Sequence, residues 1–139
     1  MRSLILEDVQ DLVEIRRISF EDFWSEKEFT SMLSDKSFFG FREDHGFILC
    51  RRTLDCIDIV TFCVTPSYRN KGIGKKLLLE VMNLAEEIQS KVFLEVAEKN
   101  YTARSLYQSL GFKKISIRKN YYKFSDSFQD AIVMMRSPT

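Results

Sequence analysis

The sequence contains little of the residues that small proteins use for cross-linking or for metal binding. Its 139 residues include 3 cysteines and 1 histidine. An odd number of cysteines without a Cys-x-x-Cys pair indicates neither a disulfide framework nor a zinc site, so we expect reduced, buried thiols. The histidine, His45, precedes Gly46 in a predicted turn, and a Ser-His-Asp triad would depend on it alone. We therefore expect no metal, and proton transfer that does without histidine.

The sequence also lacks an excess of charge of one sign, and it has no long apolar run. The chain has 21 basic and 20 acidic side chains, a formal net charge of +1, and no basic run longer than two residues. This balance argues against direct nucleic-acid binding. The longest stretch without a charge, residues 59–68, is too short for a membrane-spanning helix. Because Glu7 and Asp8 interrupt the apolar start, it does not resemble a signal peptide, and we expect a cytoplasmic protein without membrane contact.

What the chain does have is apolar material for one core. Hydrophobic residues make up 45% of the sequence, and 12 of them are phenylalanines. A chain of this length buries roughly two thirds of its unfolded surface. Because no repeat, low-complexity tract or Pro/Gly-rich linker divides the sequence, we expect a single domain over residues 1–139, acting as a monomer.

Hydrophobic periodicity predicts helices and strands in the order ααβββαβαββ. The predicted helices span residues 7–20, 25–33, 74–89 and 102–110. Three antiparallel strands are predicted between residues 37 and 64, and further strands at 91–97, 113–118 and 131–135. Ser25 and Glu28 form a capping box at the start of the second helix, and Gly111 follows the last turn of the fourth. This order predicts an α+β fold, with a single mixed, mostly antiparallel sheet flanked by helices.

The most informative segment follows the third strand and reads Arg69-Asn70-Lys71-Gly72-Ile73-Gly74-Lys75. A helix N-terminus leaves free backbone N–H groups, glycine lets a ligand approach the backbone, and the basic side chains add positive charge. These features predict an anion-binding loop. Walker A and dinucleotide-binding loops are excluded, because Lys76 and Leu77 stand where those motifs need Ser or Thr and a small residue. For so short a motif, a plain turn with solvated lysines is the alternative.

Longer segments carry a family resemblance that covers about Phe20 to Met135. PSYRNKGIGKKLL, FLEVAEKNYTARSLYQSLGF and IRKNYYKFSDSFQDAIVM, with FWSEKEF near the start, resemble the RimI-type enzymes of the GCN5-related N-acetyltransferase (GNAT) superfamily. The R-x-x-G-x-G pattern is similar to that superfamily's pyrophosphate loop for acetyl-coenzyme A (acetyl-CoA). The resemblance implies the GNAT fold and direct acetyl transfer from acetyl-CoA to a protein's N-terminal α-amine. The implied acceptor is a small-subunit ribosomal protein that begins with alanine.

The resemblance also implies the roles of individual residues. Glu95 matches the family's general base, and Tyr107 matches the general acid that serves the coenzyme A sulfur. The implied cofactor contacts are the strand backbone at Phe62, Cys63 and Val64, the loop residues Arg69, Asn70, Lys71, Gly72, Ile73, Gly74 and Lys75, and Asn100. From the residues alone, Glu95 also suits an exposed strand position, Tyr107 a core and Asn100 a helix N-cap. Cys63 is not expected to carry the acetyl group, because no histidine in this strand segment would activate its thiol.

Two aromatic segments are the implied acceptor-binding regions, and covering the core is the alternative role for them. They are the turn at Phe23 and Trp24, and residues 120–130 with Tyr121, Tyr122 and Phe124. Asp126 and Asp130 are candidates for attracting a basic peptide. Ala97 and Lys123 depart from the arginine and proline of close RimI-type enzymes.

These departures leave the acceptor open to another N-terminus, a lysine side chain or a small amine. Two other classes of function stay open beside the enzyme. One is a regulatory module that binds acetyl-CoA without turnover, and the other is a nucleotide-binding module.

Overall fold

The computed structural model describes residues 1–20, 22–124 and 127–139, without the side chains of Lys123 and Phe124. The strands are β1 (Arg2–Ser3), β2 (Phe38–Glu43), β3 (Gly46–Arg52), β4 (Cys56–Val64), β5 (Lys91–Ala97), β6 (Lys113–Phe124) and β7 (Ser127–Arg136). The α-helices are α1 (Val9–Arg17), α2 (Glu26–Ser34), α3 (Ile73–Glu87) and α4 (Tyr101–Ser109). Short 3-10 turns, Leu6–Asp8 and Pro66–Tyr68, precede α1 and α3.

The strands form one sheet in the order β1-β2-β3-β4-β5-β7-β6. Strands β4 and β5 are parallel, and every other neighbouring pair is antiparallel. The prediction of a mixed, mostly antiparallel sheet is therefore confirmed. Pairing of β4 with β5 covers Cys56 to Asp58 and Lys91 to Phe93. Beyond these residues the two strands diverge, and a gap opens in the middle of the sheet.

Helices pack on both faces of the sheet, because strand residues alternate between the two sides. Ile48 and Cys50 belong to a core cluster with α3 and with the partly buried Tyr107 and Leu110 at α4. Phe47 and Leu49 belong to a second cluster, which is formed with α1 and α2. Glu95 alternates with Leu94 and Val96 of the first cluster, so its side chain lies on the α1/α2 face of the sheet.

The first helix and the last two strands differ from the prediction. Residues 7 and 8 form part of a 3-10 turn, and α1 begins at Val9 and ends at Arg17 rather than spanning residues 7–20. Asp8 accepts a hydrogen bond from the Ile5 N–H at 2.9 Å, which stabilises this tighter turn. Strands β6 and β7 are longer than residues 113–118 and 131–135. Pairing resumes from Tyr122 to Phe124 after a register shift at Asn120, whose φ is 50°.

The predicted capping box of α2 and the burial of two of the three cysteines are confirmed. Ser25 Oγ accepts from the Glu28 N–H at 3.2 Å, and the Glu28 carboxylate accepts from the Ser25 N–H at 3.1 Å. The Cys50 and Cys63 thiols are free and buried, whereas Cys56 is free but only partly buried. In the described part of the chain, no helix combines the length and the hydropathy needed to cross a bilayer. Nor do the described residues bring together three or more His, Cys, Asp or Glu side chains that suit a metal ion.

Candidate active site

The predicted anion-binding loop lies at the start of α3, at one end of the gap between β4 and β5. The first hydrogen bond of α3 runs from the Lys76 N–H to the Gly72 carbonyl at 3.0 Å, so the N–H groups of residues 73–75 precede the helical ladder. Asn70 and Gly72 have φ values of 62° and 82°, in the left-handed region that turns the chain into the helix. Arg69 Nε donates to the Val64 carbonyl at 3.0 Å and braces the loop against β4.

Tight packing holds this loop to the sheet. A Cβ on Gly74 would lie 3.4 Å from the ring of Phe62, so the first turn of α3 rests directly on β4. On the other side, the Tyr68 ring stacks on His45 at a centroid distance of 3.5 Å, and Lys71 Nζ lies 5.1 Å from the same ring. The His45 stack was not predicted, because the turn at His45 and the loop are far apart in sequence. The loop therefore has a fixed shape on the sheet.

Beyond Asp58, β4 has β3 as its partner on one side and the gap on the other. Backbone groups that point away from β3 at Phe62, Cys63 and Val64 therefore face the gap. Burial raises the pKa of the Cys63 thiol to about 12, so this thiol stays protonated at neutral pH. A protonated thiol buried against α1 and α2 is a poor nucleophile.

Glu95 lies on β5 with 27% of its side chain exposed. Its Oε1 accepts a hydrogen bond from Arg118 Nη1 at 2.6 Å, and the Arg118 guanidinium lies 4.0 Å from the centre of the Tyr121 ring. Register explains how β6 reaches β5 across β7: Ala97 pairs with Ala131, and Ala131 pairs with Arg118. The Arg118 guanidinium therefore lies on the side of Glu95 where Ala97 leaves room. Sequence reasoning missed Arg118.

A second carboxylate, Asp58 of β4, lies on the same face near Glu95. Burial raises its pKa, the Arg51 guanidinium lowers it, and the Glu95 charge raises it further, with a net rise. Asp58 pairs with Phe93, two residues before Glu95 on β5. Sequence reasoning did not identify Asp58, because the position looks like an ordinary polar residue in a strand.

Two phenols, Tyr107 of α4 and Tyr122 of β6, have raised pKa values. Tyr107 lies on α4 with its ring 5.8 Å from that of Phe112, and burial raises its pKa to about 12. Burial also raises the pKa of Tyr122, and the nearby Glu95 carboxylate adds to this effect, with smaller contributions from Tyr107 and Asp22. Both phenols keep their protons at neutral pH.

Asn100 is the N-cap of α4, which confirms one of the two roles predicted for it. Its Oδ1 accepts from the Ala103 N–H at 3.3 Å.

Asp130 accepts from the Asn120 N–H at 2.9 Å and from Lys119 at 3.3 Å, so its charge holds the β6–β7 hairpin together.

The predicted acceptor-binding aromatics differ in exposure. Phe23 and Tyr121 are exposed, whereas Trp24 packs against Phe29 with 5.7 Å between ring centres. Asp126 and the side chains of Phe124 and Lys123 lie outside the described part of the structure. Phe23 lies between α1 and α2, and Tyr121 lies on β6.

Comparison with known proteins gives matches over most of the chain. The sequence profile of the Acetyltransferase (GNAT) family matches residues 9–112. Ribosomal protein bS18-alanine N-acetyltransferase of Escherichia coli strain K12 is 34% identical over 119 residues, covering 80% of this chain and 78% of that protein.

Solved structures agree in fold. The crystal structure of the ribosomal-protein-S18-alanine N-acetyltransferase from Escherichia coli has a TM-score of 0.90 at 30% identity, and the match covers 99% of this chain and 92% of that one. Arabidopsis thaliana NAA60 in complex with acetyl-CoA has a TM-score of 0.83 at 20% identity, over 98% of this chain and 96% of that one. The chain is therefore an N-acetyltransferase and belongs to the GNAT family.

Proposed function

We propose that the protein transfers an acetyl group from acetyl-CoA to the N-terminal α-amine of a protein, in a direct reaction within a ternary complex. The proposed acceptor is the N-terminal alanine of a small-subunit ribosomal protein, which would place the reaction in the cytoplasm. The observation that carries this proposal is the divergence of β4 from β5. This divergence leaves one gap beside both Glu95 and the anion-binding loop, residues 69–75, which we call the α3 loop. The E. coli relative named for this reaction supports the choice of acceptor.

The residues at the α3 loop fit the pyrophosphate of acetyl-CoA. Three consecutive N–H groups at the start of α3 carry partial positive charge, and a Cβ on Gly72 would meet nothing within 4 Å, so the surface there is open. We assign the binding of acetyl-CoA to Arg69, Asn70, Lys71, Gly72, Ile73, Gly74 and Lys75 at the loop, to Phe62, Cys63 and Val64 on β4, and to Asn100. When bound, acetyl-CoA supplies the activated thioester.

In this proposal Glu95 takes the proton from the acceptor ammonium. An α-ammonium has an ordinary pKa of roughly 8, and a lysine ammonium roughly 10.4, so the α-amine reaches its reactive neutral form more easily. Glu95 is partly exposed, which allows it to accept the proton directly or through a water molecule. The same argument favours an N-terminus over a lysine side chain as acceptor.

Backbone N–H groups and a phenol act on the thioester of acetyl-CoA. The N–H groups of β4 that face the gap are positioned to stabilise negative charge on the thioester oxygen. The Tyr107 phenol, which stays protonated at neutral pH, is the donor for the departing sulfur. Each role uses a group that is held by packing on α4 or β4, so little reorganisation is needed during transfer.

An acceptor panel tests the proposal. We would measure acetyl-CoA consumption with a peptide that begins Ala-Arg, the same peptide with a blocked N-terminus and an internal lysine, free lysine and a polyamine. The expected result is turnover with the free peptide N-terminus alone. Turnover with small amines alone would overturn the choice of acceptor and leave the family membership untouched. Binding of acetyl-CoA without turnover on any amine would favour the regulatory module instead.

A further inference from the structure

Arg16, near the end of α1, is a charged residue with only 5% of its surface exposed. Its Nε donates to Thr61 Oγ1 on β4 at 3.2 Å. Nη1 donates to the backbone oxygen of Asp22 at 3.0 Å, and Nη2 lies 3.3 Å from the Asp22 carboxylate. One guanidinium therefore joins α1, β4 and the described residues between α1 and α2 (18–20 and 22–25), which we call the α1–α2 loop.

Aromatic rings cover the same guanidinium. The centre of the Trp24 ring lies 3.8 Å from Arg16 Cζ, and that of Phe20 lies 4.6 Å away. Trp24 Nε1 donates to the Asp22 carboxylate at 3.2 Å, which closes the cluster. Burying a guanidinium costs desolvation free energy, and the Asp22 carboxylate that pairs with it is exposed, so stability alone does not explain an arginine at this position.

The position of the cluster relative to the cleft suggests its role. Thr61 directly precedes Phe62 on the strand that faces the gap. Arg16 contacts Thr61 on the α1/α2 face of the sheet, which is also the face that carries Glu95. The α1–α2 loop is therefore held beside β4, on the face of the sheet from which an acceptor amine would meet Glu95 in the proposed reaction.

We propose that Arg16 is a positioning residue, which fixes the α1–α2 loop against β4 so that Asp22 and Trp24 form one wall of the acceptor cleft. This inference rests on the proposed function, because it requires an amine acceptor to bind between this loop and the hairpin. Arginine suits the task better than lysine. Its planar fork serves Thr61 and Asp22 together while its faces stack on two rings.

Three variants test the role of Arg16. Arg16→Met keeps a long apolar side chain and removes every guanidinium contact, and Arg16→Lys keeps the charge alone. Arg17→Met is the matched control, because Arg17 is the neighbouring residue and pairs with Glu14 on the exposed side of α1. Trp24 is the only tryptophan, so its fluorescence reports directly on the loop.

The expected result has two parts. In Arg16→Met and Arg16→Lys, Trp24 emission shifts to longer wavelength and becomes easier to quench with acrylamide, whereas Arg17→Met resembles the wild type. The KM for the acceptor rises ~10-fold, as for a loop whose competent state is populated about one tenth of the time. The KM for acetyl-CoA and the kcat stay within about twofold, because the α3 loop is untouched.

Other outcomes overturn the inference. An unchanged Trp24 spectrum would show that Arg16 does not hold the loop, and a shifted spectrum with an unchanged acceptor KM would show that the loop does not position the acceptor. Equal rises in both KM values would indicate a general structural role. If Arg16→Met fails to fold, Arg16→Lys carries the test by itself, because lysine keeps the charge and cannot contact Thr61 and Asp22 together.

The acceptor panel on the wild type is run first, so a failure of the proposed function is seen before any variant is made. The variants are then assayed with whichever amine the wild type acetylates.

Discussion

At the level of single residues, Glu95 is the group whose replacement separates chemistry from binding. Glu95→Gln keeps the size of the side chain and removes the base, so we expect kcat to fall ~10²- to 10⁴-fold. The Kd for acetyl-CoA should not change, because Glu95 lies on β5 and the pyrophosphate is assigned to the loop before α3. Steady-state kinetics measure the first quantity and titration calorimetry the second. Weakened acetyl-CoA binding with normal turnover would contradict the assignment of Glu95 as the base.

Cys63 gives the complementary prediction. Its thiol is buried, its pKa is raised to about 12, and it is the one cysteine of β4 that adjoins the predicted thioester position. In direct transfer it carries no acetyl group, so Cys63→Ala should keep kcat within about threefold and lower the free energy of unfolding by about 1 kcal/mol through lost packing. Kinetics and urea unfolding check both values. A loss of turnover as large as that of Glu95→Gln would instead indicate a covalent intermediate.

At the level of elements, Asp8 ties the 3-10 turn before α1 to the first strands. Its carboxylate accepts from Arg2 at 2.6 Å and from Arg42 at 3.1 Å. Burial raises its pKa, but hydrogen bonds from Arg2, the Ile5 N–H and Arg42 outweigh burial and lower the pKa to about 2. Because the pKa in the folded state is depressed, this stabilisation is present above about pH 4 and is lost as the pH falls toward 2.

Asp8→Asn tests this account. At pH 7 the variant should be less stable than the wild type by about 1 to 2 kcal/mol, and the difference should shrink as the pH falls from 4 to 2. Urea unfolding at several pH values measures it. Glu14→Gln is the control, since Glu14 pairs with Arg17 on the exposed side of α1. A difference that stays constant down to pH 2 would show that Asp8 acts through packing and not through its charge.

The two glycines of the α3 loop should respond in opposite directions to alanine. Gly72 has φ of 82°, so Gly72→Ala forces a left-handed alanine and should cost about 1 kcal/mol. Gly74 is helical, and a Cβ there would be in ordinary contact with Phe62 at 3.4 Å, so Gly74→Ala should be neutral or stabilising. Thermal unfolding of the two variants without ligand gives the comparison. Equal destabilisation would place the strain elsewhere in the loop.

Elements with strong local signals were predicted, and those fixed by distant partners were not. The Ser25 capping box and the left-handed Gly111, with φ of 94°, are set by nearby residues. The two-residue β1 has no periodicity of its own and exists because β2 pairs with it.

The same distinction applies to the site. Glu95 and Tyr107 were identified through family segments, whereas Arg118 meets Glu95 across 23 residues of sequence and Arg16 meets Thr61 across 45. Both contacts depend on the packing of the sheet, which no local pattern contains.

At the level of the whole molecule, the diverging strands connect two faces of one sheet. The α3 loop rests on β4 from the α3 side, where Gly74 meets Phe62, whereas Glu95 lies on the face that α1 and α2 share. An acyl donor held at the loop and an amine held near Glu95 can therefore meet in the gap from opposite sides. Direct transfer needs this arrangement, and a covalent carrier would not.

A ligand that fills the gap should stabilise the entire fold, because it binds the native sheet and not the unfolded chain. Acetyl-CoA at a hundredfold excess over its Kd should add about 2.7 kcal/mol, which is a rise of roughly 10 °C in Tm for a chain of this size. Raising the salt concentration to about 1 M should reduce the shift, because the loop binds phosphate partly through exposed charges.

Adenosine triphosphate, which shares the phosphates and lacks the pantetheine arm that β4 would hold, should shift the Tm much less. Differential scanning calorimetry with both ligands gives the comparison. An equal shift with adenosine triphosphate would favour the nucleotide-binding module over the acetyl-CoA site.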